Sequence, residues 1–190
     1  MARRQRQALL TLRAGEVFTV GRRALSFQLN PRGARPVLGV HMRGSDARSM
    51  RKRVPPEAFW PYVADFARSH PRGLVYVATE SEPNAAAARA WNRTGVAAGR
   101  VRMQPIRTRV SGGKANFYVH SDQLGVARDA LLDIQILARS DYLVHGASAV
   151  AEAAIYVNPS LHWRSTHLEF EQRCADSASG TVTTFCSHIL

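Results

Sequence analysis

The sequence predicts an α/β fold built on a parallel sheet, and three observations predict it. Short apolar runs fit for buried strands recur over residues 37–42, 74–78 and 142–145. Segments with helical spacing or helix-forming composition lie between them, and this alternation implies βαβ units with right-handed crossovers. The length of 190 residues, with 45% hydrophobic and 21% charged side chains, suits about one globular domain. No apolar run approaches the roughly 18–20 residues that a membrane span requires.

Residues 1–35 alternate short apolar stretches with Arg and Gly without a strong period. They read as a basic leading segment or linker remnant. The domain proper occupies 36–160 and begins with the strand-like Val37-Leu38-Gly39-Val40-His41-Met42. An Arg-rich loop over 44–53 follows. Phe59, Tyr62, Val63, Phe66 and Ala67 then recur at helical spacing, and Pro61 is expected to mark where the regular helix starts. Pro71-Arg72-Gly73 turns the chain into a second strand over 74–78. Pro83 opens an alanine-rich helix over 84–91.

Residues 101–103 form a short third strand, and Ser111-Gly112-Gly113 a flexible turn. A long helix spans 122–140, with Leu124, Ala127, Leu131, Ile134 and Ala138 expected on its buried stripe. Asp141 ends it, and 142–145 is the fourth strand. Ser148 is placed to cap a helix running through Ala154, which Pro159 closes. Residues 161–190 read as a partly irregular tail. Ligands on parallel sheets sit at the carboxyl ends of the strands. The loop after Met42, the loop after Ala78 and the Gly146-Ala147-Ser148 junction should therefore open on one edge.

The charge is high and lopsided. The chain has 26 Lys and Arg against 14 Asp and Glu, a net of +12, and residues 1–53 hold 13 of the basic groups but only 2 acidic ones. Only Lys52 and Lys114 are lysines, a skew that GC-rich coding would produce as readily as a demand for guanidinium chemistry. Such charge admits a nucleic acid, an acidic membrane surface or a phosphorylated small molecule. The basic start lacks interleaved aromatics and any recognition motif, so no specific nucleic acid is expected, although a basic nucleic-acid-binding module is the rival reading.

Cys174 and Cys186 have no C-x-x-C spacing and no nearby paired His, which argues against a zinc site and a redox pair. A disulfide and two free thiols both stay open. No apolar core follows the first residues, so no signal peptide is expected. Asp-x-Asp and H-E-x-x-H are both absent from the chain. His162 and His167 share a loop-like stretch better suited to the surface than to a metal.

Three constellations can carry chemistry. In His41-Met42-Arg43-Gly44-Ser45-Asp46, an Arg at a strand's end can present its planar fork to a phosphate. Asp46 can orient that guanidinium or pair with it to tie down the loop. Asp133 sits among Leu131, Leu132, Ile134 and Ile136, so its carboxylate is expected to be at least partly buried and in need of donors. The two N–H groups on the edge of a guanine would satisfy it; so would Arg128 or Arg139, or exposure on the polar stripe. At Gly146-Ala147-Ser148, small side chains let backbone N–H groups approach an anion at a helix start, although such junctions are ordinary in α/β folds. The residues together read as a metal-independent anion site built from Arg and helix ends.

The order of these motifs resembles a known family. Leu38-Gly39-Val40-His41-Met42-Arg43-Gly44-Ser45-Asp46 resembles the first motif of the GDP-fucose fucosyltransferases, especially the α-1,6-fucosyltransferase and nodulation fucosyltransferase group. Val75-Tyr76-Val77-Ala78-Thr79-Glu80-Ser81 is similar to that group's strand ending in Ala-Thr-Asp-Asp. Leu132-Asp133-Ile134, Ser140-Asp141-Tyr142-Leu143-Val144 and Ala147-Ser148-Ala149-Val150 resemble its last donor-site block. The three blocks follow the family order over roughly residues 36–160.

The resemblance implies a Rossmann-like domain, the carboxyl-terminal donor-binding half of a GT-B glycosyltransferase that is inverting and needs no metal or other cofactor. GDP-fucose would be the donor, a glycan hydroxyl the acceptor and the Golgi the site of action, with the acceptor half lying outside this chain. An inactive relative that only binds a sugar nucleotide is the variant of this reading. Arg43 would hold the diphosphate, His41 and Asp133 the guanine end, and Ser148 with its helix would complete the cradle. The sequence departs from the family in three places. A second Arg is replaced by Gly44, the Asp pair by Glu80-Ser81, and the catalytic glutamate of the α-1,6 type by Arg51. Asp46 is then the nearest candidate for a base.

Overall fold

The computed structural model describes residues 18–20, 23–25, 35–44, 54–105, 109–110 and 120–169. Phe18–Val20 (β1) and Arg23–Leu25 (β2) pair antiparallel in a sheet of their own. The main sheet has five strands, Val37–His41 (β3), Leu74–Ala78 (β4), Val101–Arg102 (β5), Tyr142–His145 (β6) and Ser165–His167 (β7). Their order is β5-β4-β3-β6-β7, and every pairing in this sheet is parallel. The chain steps outward from β3 to β5, then returns to the other side of β3. This reversal creates a topological switch point between β3 and β6, the arrangement of a Rossmann-like α/β fold.

Among the described residues, four α-helices lie between the strands of this sheet: Pro56–Ser69 (α1), Glu82–Arg93 (α2), Gln123–Leu137 (α3) and Ala149–Val157 (α4). Side chains alternate across the strands, so each face has its own core. Leu38, Val40, Val75, Val77 and Val144 meet Phe59, Val63 and Phe66 of α1 on one face. Val37, Tyr76, Ala78 and Leu143 meet Leu137 of α3 and Ala151 and Ala154 of α4 on the other. All of β3 is buried, which is why it reads as an unbroken apolar run.

Two expectations for the helices need correction. The first helix starts at Pro56, and Pro61 lies inside it. Pro56 loses nothing at a first helical position. Pro61 forfeits one backbone hydrogen bond, but its ring faces solvent while Phe59 and Val63 on either side of it anchor the turn in the core. The stripe expected on α3 is rotated. Leu124 is 83% and Leu131 61% exposed, whereas Val126, Asp129, Asp133, Ile136 and Leu137 face inward. Asp133, expected to be at least partly buried, is buried and finds its donors in Tyr76 and Gln104.

α4 runs through Ala154 to Val157, and Pro159 follows directly beyond its cap, as expected. Within the described part of the stretch read as a partly irregular tail lie the end of a 3-10 helix, Pro159–Arg164, and then β7, so the sheet reaches past residue 160. His167 accordingly lies on a strand, not a loop, while His162 is exposed as expected. Cys174, Cys186, Arg51, the basic run over 48–53, most of the leading segment and the turn over 111–113 lie outside the described residues. No helix among the described residues is long and apolar enough to cross a membrane.

Candidate functional site

Parallel strands in register end together. His41 pairs with Ala78 on one side and His145 on the other, and His145 pairs with His167. The loops after β3, β4 and β6 therefore open on one edge, as the topology requires, and hydrogen bonds stitch them together. Thr79 Oγ1 donates to the Met42 carbonyl at 2.7 Å, and Asn84 Nδ2 donates to the same oxygen at 3.1 Å. The Gly44 amide donates to Glu80 Oε1 at 2.9 Å. Arg43 reaches across the switch point, where Nη1 donates to the Ala147 carbonyl at 3.1 Å. The guanidinium is thus fixed beside the start of α4.

Gly44 is pressed against the loop after β4. A Cβ at this position would lie 2.3 Å from Ser81 Cβ and 2.6 Å from its Oγ. No side chain fits there, which gives a steric reason for glycine at this position. Gly44→Ala is expected to cost about 2 kcal/mol through forced displacement of the loops. Urea unfolding checks this; an unchanged midpoint would mean that the two loops part freely.

Ser148 caps α4 as expected, its Oγ accepting from the Val150 amide at 3.2 Å. The helix start carries a partial positive charge, roughly half a unit. Ahead of the cap, the Ala147 amide donates to Glu169 Oε1 at 3.0 Å.

Three histidines line this edge on the α3–α4 face. His41 and His145 are buried, and the rings of His145 and His167 meet edge-on with centroids 4.8 Å apart. Burial pushes the His41 imidazole down to about 4; Glu80 pulls it up by less, and His145 and Arg43 add to the fall. Burial also lowers His145, against the pull of the Gly146 carbonyl. Both shifts favour the neutral imidazole. His41 Nδ1 is buried with no hydrogen-bond partner among the described residues, and His145 Nδ1 lies 3.0 Å from the Gly146 carbonyl.

Asp133 lies deeper. Its Oδ1 accepts from Tyr76 Oη at 2.5 Å and from Gln104 Nε2 at 2.7 Å. Tyr76 is two residues before the end of β4, which places this cluster roughly 7 Å below the edge. Burial raises the carboxyl to about 7, opposed first by the Tyr76 and Gln104 hydrogen bonds and then by the Arg109 charge. The Tyr76 hydroxyl is likewise raised well above its ordinary range, by burial and then by the Asp133 charge. Neither Arg128 nor Arg139 is its hydrogen-bond donor: Arg128 lies 3.5 Å from Asp129, and Arg139 donates to Gln135.

The structure thus gathers His41, Arg43 and Ser148 at one edge, keeps Asp133 beneath it, and leaves Asp46 outside the described residues. Sequence reasoning did not single out His145 or Glu169. His145 had a readable signal, because it ends a strand in register with His41. Glu169 had none, since its partner amide is 22 residues away. Among the described residues no three His, Cys, Asp or Glu side chains come together to hold a metal. No protein-family model matches this chain, and no curated protein matches it.

Proposed function

We propose that this domain binds the GDP portion of a GDP-sugar at the carboxyl edge of its sheet. In this reading it is the donor-binding half of a GT-B glycosyltransferase of the GDP-fucose fucosyltransferase kind, serving inverting, metal-independent transfer of fucose to a glycan hydroxyl. The observation that carries the reading is the placement of Arg43 at the switch point, bonded to the peptide that leads into α4. A cation and a helix start converge there on the position where α/β sheets take their ligands. The three stretches that resemble the fucosyltransferases also supply the loops stitched together at this edge.

Each residue then has a physical role. Arg43 and the α4 amides hold the diphosphate and stabilise the charge that GDP gains as it departs. His41, neutral and buried, offers Nδ1 as a hydrogen-bonding group without adding charge. The resemblance gives Asp133 the guanine end; lying beneath the edge with Oδ1 held by Tyr76 and Gln104, it acts there through those two side chains and not by direct contact. Asp46, three residues beyond Arg43, is the carboxylate nearest the cradle in sequence and takes the part of the base.

Calorimetric titration with GDP, ADP and a mixed oligonucleotide tests this reading. GDP is expected to bind more tightly than ADP, and Asp133→Ala to erase that preference. Absence of GDP binding would refute the proposal. A strongly salt-dependent affinity for the oligonucleotide, without preference for guanine nucleotides, would point to the nucleic-acid-binding module instead.

A further inference from the structure

We infer that Glu169 is an internal anion seated on the phosphate-facing amide of the α4 junction, and that a diphosphate must displace it to bind. This rests on the proposed diphosphate site and adds an autoinhibitory contact to it. The two peptides that flank the Ala147 Cα are both held: the Ala147 oxygen accepts from Arg43, and the Ala147 amide donates to Glu169 Oε1. The same oxygen lies over Gly146, where a Cβ would approach it to 3.3 Å. A carboxylate on the amide ahead of a helix start is the chemical equivalent of a phosphate oxygen there.

Two further observations set the contact in a binding site. His41, 3% exposed, has a buried Nδ1 without a partner among the described residues, and it lies in register beside His145, which leads into Gly146. Glu169 is also placed to move. Leu168 before it is 3% exposed and anchors the end of β7 in the core, whereas Glu169 itself is half-buried. Its side chain can swing to water without disturbing the sheet.

A ligand's apparent affinity falls by the fraction of molecules whose site is open. If Glu169 leaves the amide open in about one molecule in ten, removing it gains about tenfold. The experiment is calorimetry with GDP, inorganic pyrophosphate and guanosine on the wild type, Glu169→Gln and Glu169→Ala. Glutamine keeps an acceptor for the Ala147 amide and guards against a folding defect. Expected are gains of about threefold for the glutamine variant and about tenfold for the alanine variant, with both phosphate probes and not with guanosine. GDP or pyrophosphate binding that tightens in neither variant, with the wild type binding normally, would overturn the displaced anion and leave the diphosphate site standing. No binding of either probe to any of the three proteins would overturn both.

Discussion

Arg43→Ala is expected to weaken GDP binding by about 100-fold. A hydrogen bond to a charged group contributes about 1.5–3 kcal/mol, and each 1.4 kcal/mol is a factor of ten in affinity. Arg43 is half-buried, so its field is less screened than that of a surface cation. Its bond to the Ala147 carbonyl fixes the guanidinium before the ligand arrives, which limits the ordering cost of binding. Alanine also removes that tie across the switch point, at a cost to stability of about 1 kcal/mol.

The two losses separate cleanly. Arg43→Lys restores charge without the planar fork, and it is expected to recover about tenfold of the lost affinity. Guanosine, which has no phosphate, should bind all three proteins alike. Calorimetry at fixed salt, with urea unfolding beside it, reads each quantity. GDP binding unchanged in Arg43→Ala would remove the diphosphate from this edge.

The second large effect lies at Asp133. Burial raises its carboxyl from 3.8 to about 7 in the folded chain. Between those values the folded state holds a proton that the unfolded state has lost. Stability from this group therefore falls as pH rises, by about 1.4 kcal/mol per unit, and levels off above about 7. Asp133→Asn removes the titration while keeping an oxygen for Tyr76 and Gln104.

His41 slopes the opposite way. Its folded value of about 4 lies below the ordinary 6.5, so the unfolded chain binds the extra proton and stability rises with pH over that interval. Taking the variant minus the wild type cancels this histidine contribution. The asparagine variant is expected to gain about 2 kcal/mol on the wild type between pH 5 and pH 7, read by urea unfolding at each pH. A difference independent of pH would show that Asp133 is ionised throughout, its hydrogen bonds outweighing its burial.

What could be read from the sequence was what local chemistry decides. β3, β4 and β6 announced themselves because strands buried on both faces must be apolar along their whole length. The common edge for three loops followed from topology alone, before any contact was known. β7 gave no such signal: Ser165-Thr166-His167 is a polar, half-buried edge strand whose place is set by pairing with β6. The rotation of α3 was equally hidden. It depends on Tyr76 and Gln104, 57 and 29 residues from Asp133, arriving with the donors that a buried carboxylate needs.

Pro61 misled in a different way. The rule that proline starts or breaks a helix is sound locally, but core contacts of Phe59 and Val63 outweigh the loss of one backbone hydrogen bond. At the candidate site, Arg43 and Ser148 were legible because a strand end and a helix cap each have a sequence pattern. Glu169 has no such pattern, and only the fold brings it to Ala147.

The most direct test of the account is a residue-resolved one. In a nuclear magnetic resonance titration of the nitrogen-15-labelled protein with GDP, the amides of Gly44, Ala147 and Val150 are expected to shift together and saturably. Those of Gly73 and Asn158, at the amino end of the sheet, are expected to stay fixed. Saturable shifts at the amino end with none at Gly44 or Ala147, or no shift anywhere, would contradict the placement of the ligand at the carboxyl edge.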